Sequence, residues 1–222
     1  AAIVTSNDAV ESWAGQNGIP SVEWGNSLEH AVESIDYDYL FSIANLRIIP
    51  SPVWRKARLG AINFHDGPLP RYAGLNVPAW AVMQGETRFG VTWHEITDGV
   101  DEGCIHMQAD FDLSADDTSL SLNTKCFAAG IDSFAALLDA IATSSLPRVA
   151  QDLSVRTYYA KTKRPDAAGT LLLDRPAEQL SSLFRGLNFG SGYANRLVCP
   201  KLRHEDGIFI VRRLTVRDTA EG

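Results

Sequence analysis

The sequence predicts an α/β fold built around a mostly parallel sheet, and three observations carry that prediction. Over the first 110 residues, short β-rich runs alternate with stretches of helical periodicity. One of those runs, Tyr39 to Ile43, is apolar but for Ser42, in the manner of a buried strand, and Ala61 to Phe64 reads as the next strand. The chain has 222 residues, 45% hydrophobic and 21% charged, enough for one domain of about 150 to 180 residues with an appendage, or two small domains.

Taken in order, Ala2 to Thr5 reads as a strand, and Ala9, Val10, Trp13 and Ala14 mark one face of a helix that Gly18 ends. Ser21 to Trp24 is a short extended piece, after which Ser27 caps a helix that turns Leu28, Ala31, Val32 and Ile35 inward. Tyr39 to Ile43 is the next strand. Ser51-Pro52 opens a third helix, with proline at the first helical position, where its missing N–H costs nothing. Ala61 to Phe64 is a strand, and the segment from Asp66 to Pro78, with three prolines and two glycines, is a shaped loop. Asn76 is placed to cap a helix over Pro78 to Gln84; Phe89 to Ile96 and Cys104 to Phe111 extend the sheet. After Asp116-Asp117-Thr118, apolar residues at 120, 127, 131, 134, 138 and 141 trace one face of a long helix ending near Ser144.

Residues 145 to 176 are polar and turn-rich and read as a linker tying back onto the domain. Ala177 to Asn188 follows as a short amphipathic helix, and Gly207 to Val216 as a hairpin or edge strand. The expected division is therefore a domain over 1–145 and a linker, helix and small β subdomain over 146–222. The alternation is that of a Rossmann-like sheet, but the chain opens directly at an element that feeds a helix, so the first βα unit is expected to be absent or the fold shortened. The GxGxxG dinucleotide fingerprint is missing as well, which argues against NAD binding.

Charge and cysteine content narrow the function classes. Residues 1–150 carry 8 Lys+Arg against 19 Asp+Glu, and residues 151–222 carry 12 against 8. An acidic body disfavours broad contact with a phosphate backbone, so nucleic acid is not the expected partner, although a tRNA acceptor is kept open by the basic tail. No apolar run approaches the roughly 20 residues of a membrane helix. Cys104, Cys126 and Cys199 form no CxxC pair and read as buried thiols in a reducing compartment; with no basic and apolar leader at the N-terminus, the expected location is cytoplasmic.

The chemistry gathers around one strand. Asn63 and His65 are two apart, so their side chains share a face, and they leave the strand at its carboxyl end, where open α/β sheets bind ligands. The following loop, Asp66-Gly-Pro-Leu-Pro-Arg-Tyr-Ala-Gly74, is stiffened by Pro68 and Pro70 and freed at Gly67 and Gly74. Thr92 and His94 share a face beside it, and Asp98-Gly-Val-Asp-Glu-Gly103 makes an acidic turn. An amide donor, an imidazole and a carboxylate suit acyl transfer to an amine: Asn63 can donate to a developing oxyanion, His65 can stabilise it or take the proton, and Asp101 can hold the histidine tautomer. No serine or cysteine nucleophile is required. His65, His94, His106 and Asp101 match no compact metal-ligand spacing, so no metal is expected.

Asn63-Phe-His65, Leu69-Pro70, Gly74, Gly90-Val91-Thr92 and Asp101-x-Gly103, in this order and spacing, resemble the folate-dependent formyltransferase family. That family includes methionyl-tRNA formyltransferases, glycinamide ribonucleotide transformylases, sugar N-formyltransferases and the formylation domains of peptide synthetases. The resemblance covers about residues 1–145 strongly and the rest weakly. It implies a formyltransferase fold and transfer of a formyl group from 10-formyltetrahydrofolate, as co-substrate, to a primary amine. It implies that Asn63 and His65 stabilise the oxyanion while Asp101 positions His65 and a water. It also implies that Leu46, Arg47, Ile48 and Ile49 line the pterin pocket, with backbone groups of Arg47 and Ile49 bonding the ring, and that Ile96, Thr97, Asp98 and Val100 close over it. Pro70, Arg71, Tyr72 and Gly74 fall on the acceptor side of the loop.

The loop also departs from the family's common His-x-Ser-Leu-Leu-Pro, reading His65-Asp-Gly-Pro-Leu-Pro70, with Ala73 where a basic residue often stands. That loss weakens the case for a phosphate-bearing acceptor, and the loop looks most like the modules joined to peptide synthetases. The acceptors weighed are an aminoacyl group on a carrier protein, an amino sugar nucleotide and an aminoacyl-tRNA, in that order. Two rival readings are a formyltetrahydrofolate deformylase, which would use the same three residues with water, and a truncated module that binds without catalysing.

Overall fold

The computed structural model describes residues 1–24, 27–191, 195 and 197–217. Its first half follows the α/β alternation of the sequence. Strand β1 (Ile3–Thr5) leads through α1 (Asp8–Gln16) to β2 (Ser21–Glu23), which pairs parallel with β1. Helix α2 (Leu28–Ala31) precedes β3 (Tyr39–Ser42), and α3 (Ser51–Arg55) carries the chain across to β4 (Gly60–His65), parallel to β3. A two-residue strand β5 (Ala73–Gly74) and helix α4 (Val77–Met83) follow, then β6 (Arg88–Glu95) and β7 (Ile105–Asp112). These two join antiparallel, giving a sheet in the order β3-β4-β6-β7. The long α5 (Ser119–Ala142) comes next, and Tyr158–Tyr159 forms β8, which pairs parallel with β5. Helix α6 (Ala177–Gly186) and the antiparallel hairpin β9 (Lys201–His204) and β10 (Gly207–Ile210) complete the described chain.

Local chemistry explains several of these limits. Asn7 caps α1 by accepting from the Ala9 and Val10 amides, and Thr118 and Ser121 close a reciprocal capping box on α5. Asn76 stands at the start of α4 as expected but does not cap it through its side chain: it adopts a left-handed conformation (φ 56°), which asparagine tolerates, and the turn is made by the backbone. Of the three cysteines, Cys126 is buried, Cys104 half-buried and Cys199 exposed, so the expectation of three buried thiols holds for one.

The main core lies between the sheet and α5, built on Ile62, Phe64, Val91, Trp93, Leu122 and Leu137. Helix α5 presents Leu122, Cys126, Gly130, Ser133 and Leu137 inward, whereas Phe127, Ile131 and Leu138, from the stripe that sequence periodicity marked, are exposed. The reason is size. Small residues let the helix approach until a Cβ on Gly130 would stand 2.6 Å from the Phe64 ring, and Ser133 Oγ accepts from the Trp93 indole N–H at 2.9 Å. A smaller cluster of Leu28, Val32 and Val53 is shared by Val4 of β1 and Leu40 of β3. In α1 only Ala14 is buried, with Trp13 and Val10 open to water. Among the described residues no helix is long and apolar enough to cross a membrane.

Candidate active site

Strand alternation brings the site together. Asn63 of β4 lies directly opposite His94 of β6, and His65 opposite Thr92, so all four side chains share one face of the sheet. Asp101 reaches the same face from the turn after β6, in a left-handed conformation (φ 55°). The Asp101 Oδ2 accepts from the Gly74 amide at 2.8 Å and lies 3.7 Å from His65 Nδ1. Its Oδ1 lies 3.5 Å from His94 Nε2, which in turn is 3.2 Å from Asn63 Nδ2. Asn63, His65 and Asp101 thus gather in one place, and His94, which the sequence placed beside the loop, stands in the middle of them.

The histidine protons follow from their partners. His65 Nε2 is 2.7 Å from the Tyr72 carbonyl, and His94 Nδ1 is 2.8 Å from the Glu95 carbonyl. Carbonyl oxygens only accept, so each of these nitrogens carries a proton. The second nitrogen of each ring, His65 Nδ1 and His94 Nε2, is then the one that can exchange a proton within the site. Burial alone would raise the Asp101 carboxyl; hydrogen bonding to the His94 ring, the neighbouring His65 and the Gly74 N–H outweigh it and hold the group at about 2. Asp66, 3.9 Å from His65 Nδ1, is pushed up by burial against the opposing pull of His65, although 32% of its side chain still meets solvent, which moderates the rise.

Two sets of contacts hold the surrounding loops. From the sheet, Thr92 Oγ1 donates to the Gly67 carbonyl at 2.7 Å and accepts from the Leu69 amide at 3.1 Å, while Gln108 Nε2 donates to the Leu69 carbonyl at 2.8 Å. From the segment after α5, Gln151 Nε2 donates to the carbonyls of Asp101 (3.0 Å) and Gly103 (2.7 Å), and Arg156 donates to the Val100 carbonyl at 2.8 Å. Arg148 forks onto Glu95, at 2.5 and 3.0 Å. The stretch read as a linker is therefore a strap on the turn that carries Asp101. Gly103 is required there, because a Cβ would stand 2.0 Å from the Glu95 carbonyl oxygen.

The remaining residues singled out by sequence separate into two groups. Leu46 and Ile48 are 63% and 78% exposed, and Val100 39%. Arg47 has both backbone groups taken by the Asn45 side chain, its N–H at 2.9 Å and its carbonyl at 2.8 Å. Ile49 packs on the smaller cluster. Ile96 donates its N–H to Ala61 at 2.8 Å, Thr97 Oγ1 donates to the Gly99 carbonyl, and Asp98 pairs with Arg55 at 2.6 Å, linking this turn to α3.

In the loop expected to face the acceptor, Pro70 follows a cis peptide bond, Gly74 has φ 99°, and exposed Arg71 is paired with Glu86. Tyr72 is only 1% exposed: its ring stacks on Tyr159 and its hydroxyl donates to Glu86 at 2.7 Å, so its side chain belongs to the core and does not face an acceptor. His106 stands apart from the other two histidines, its Nδ1 donating to the Pro147 carbonyl at 2.6 Å. A recess of about 450 Å³ opens at the start of β4 and shares only Ile96 with the residues expected to hold a folate.

A protein-family profile described as "Formyl transferase" matches residues 6–137. A curated relative, the methionyl-tRNA formyltransferase of Anaeromyxobacter dehalogenans, is 30% identical over 182 residues, covering 80% of this chain and 58% of the relative; the chain thus spans under three fifths of that protein's length. Among solved structures, a sugar N-formyltransferase from Shewanella is similar at a TM-score of 0.71 with 20% identity, covering 98% of this chain and 85% of the other. An N-formyltransferase from Helicobacter canadensis, solved with folinic acid and dTDP-3-aminofucose, is similar at 0.66 with 22% identity, covering 79% and 62%. At these identities the solved structures speak for the fold alone.

Proposed function

Because this chain belongs to the formyl transferase family, a folate-dependent family whose profile spans more than half of it, we propose that it transfers a formyl group from 10-formyltetrahydrofolate to a primary amine. The observation that carries the proposal is the grouping of Asn63, His65 and Asp101 on one face at the carboxyl end of β4, inside the matched segment. In the reaction the amine nitrogen bonds to the formyl carbon, the bond from that carbon to N10 breaks, and a proton passes from the amine to N10. Asn63 donates through its amide to the formyl oxygen as charge builds there. His65 is held by Tyr72 through Nε2 and exchanges the proton through Nδ1, beside Asp101.

The exposed apolar side chains of Leu46, Ile48 and Val100 suit a flat ring. With both polar groups of Arg47 occupied by Asn45, a pterin must displace that amide or bond elsewhere, for instance to Ile49. Residues 1–145 are proposed as the catalytic portion and 146–222 as its support. For the acceptor, an aminoacyl group on a carrier protein, as in peptide synthesis, is preferred to an amino sugar nucleotide or aminoacyl-tRNA. The one exposed arginine of the loop is already neutralised by Glu86, which leaves it little to offer a phosphate.

Calorimetric titration with a stable analogue of 10-formyltetrahydrofolate, followed by an acceptor screen, tests this reading. Micromolar binding and formylation of an amine are expected. Release of formate without an amine product would make the protein a hydrolase, and no binding by folded protein would overturn the proposal.

A further inference from the structure

We propose that His94 is a positioning residue for Asn63: its neutral ring accepts a hydrogen bond from the Asn63 side-chain amide and so fixes which end of that amide faces the reacting oxygen. The inference rests on the formyl-transfer reading for what Asn63 does, and on the geometry alone for the pairing. An isolated asparagine amide can present either oxygen or nitrogen to a site, and only its nitrogen end can donate to an oxyanion. His94 decides between them. It is 3% exposed, directly opposite Asn63 in the antiparallel pair of β4 and β6. Its Nδ1 proton is committed to the Glu95 carbonyl at 2.8 Å, so in the neutral ring Nε2 is a bare acceptor, 3.2 Å from Asn63 Nδ2. One N–H of Asn63 satisfies that acceptor, and the other is left for the site.

The same geometry defines a disarmed state. When His94 gains a second proton, Nε2 becomes a donor facing a donor, and the acceptor within reach is Asp101 Oδ1 at 3.5 Å. The amide of Asn63 then either loses its partner or turns its oxygen to the ring, and in the second case the oxyanion meets an acceptor instead of a donor. The charged and titratable groups on this face are His65 from β4, Asp66 from the following loop and Asp101 from the turn. Glu95, opposite Ile62, projects to the other face, where Arg148 and His106 approach it. Transfer therefore needs His94 neutral, independently of the protonation of His65.

The test uses the full chain and the variants His94→Gln and His94→Ala. Glutamine places a carbonyl near the Nε2 position that accepts from Asn63 but does not titrate. Nitrogen-15 spectra of the wild type near neutral pH are expected to show His94 protonated on Nδ1 and bare on Nε2, and the Asn63 side-chain amide resonances to move with His94 as it titrates. In His94→Gln those resonances should stay fixed with pH. Kinetically, His94→Ala should lower kcat about tenfold or more with KM for the folate nearly unchanged, and His94→Gln should recover to within about threefold while losing one component of the acidic limb, consistent with loss of one buried hydrogen bond. Wild-type kcat in His94→Ala, a protonated Nε2 near neutral pH, or Asn63 resonances indifferent to His94 would each overturn the inference. If the resonances couple as expected but no form of the protein transfers formyl groups, the functional reading fails and the pairing stands.

Discussion

The carboxylate of Asp101 is divided between two imidazoles, Oδ2 lying 3.7 Å from His65 Nδ1 and Oδ1 3.5 Å from His94 Nε2. Both rings are buried, and the carboxylate is tied to the loop by the Gly74 amide. Asp101→Asn keeps the shape and removes the charge. The expected outcome is a fall in turnover of about 100-fold with KM for the folate nearly unchanged. Wild-type turnover in this variant would contradict the pairing.

The same group makes a prediction for stability. Its folded pKa, about 2, lies below that of an unfolded aspartate, so its contribution is fully present above about pH 4 and is lost as pH falls through the folded value. Denaturant unfolding of wild type and Asp101→Asn between those limits should show the difference between the two proteins shrinking as pH falls. A difference that stays constant across this range would place the shift elsewhere.

Replacing Tyr72 with phenylalanine separates a core role from an acceptor role. The hydroxyl is buried and bonded to Gln84 and Glu86, so its loss should cost about 1–2 kcal/mol in unfolding free energy while leaving KM for the amine unchanged. A raised KM with unaltered stability would return Tyr72 to the acceptor surface.

Arg156→Ala and Gln151→Ala test the strap. Each removes donors to the backbone of residues 100–103, and each should lower kcat through misplacement of Asp101 more than it lowers folding stability, the latter by about 1–3 kcal/mol. Equal activity in variants that unfold earlier would show that the turn holds its own geometry.

Gly103→Ala should be more severe than either. The added methyl meets the Glu95 carbonyl at 2.0 Å, so the turn must move, with a cost of about 1–3 kcal/mol and loss of activity. Thermal melting and a turnover assay on one preparation would check both, and a wild-type melting temperature would show that the turn yields freely.

How much of this was legible in the sequence depended on the range of the contact. Asn63 and His65 share a face because they are two apart on a strand, and Thr92 and His94 do so for the same reason; such alternation is readable without a structure. That the two pairs stand opposite one another is a matter of register, which spacing alone does not disclose. Gln151 and Arg156 lie about 50 residues beyond the turn they hold and have no local signature. Periodicity was misleading in α5, where large apolar residues draw the eye to 127, 131 and 138, but the sheet is approached by the side bearing Cys126, Gly130 and Ser133. Tyr72 was expected on the acceptor side of its loop, while its burial depends on Tyr159, 87 positions on.

The inverted dress of α5 has a consequence for how this protein can vary. On most amphipathic helices the greasy side resists change and the polar side drifts; here Ile131, 74% exposed, could become glutamate or lysine with little effect on folding, whereas the modest exchange of Gly130 for alanine would strike the Phe64 ring. Under selection for folding alone, the residues most free to diverge along this helix would include Ile131, and those held in place would include the small Gly130 and Ser133 beside the buried Leu122 and Leu137.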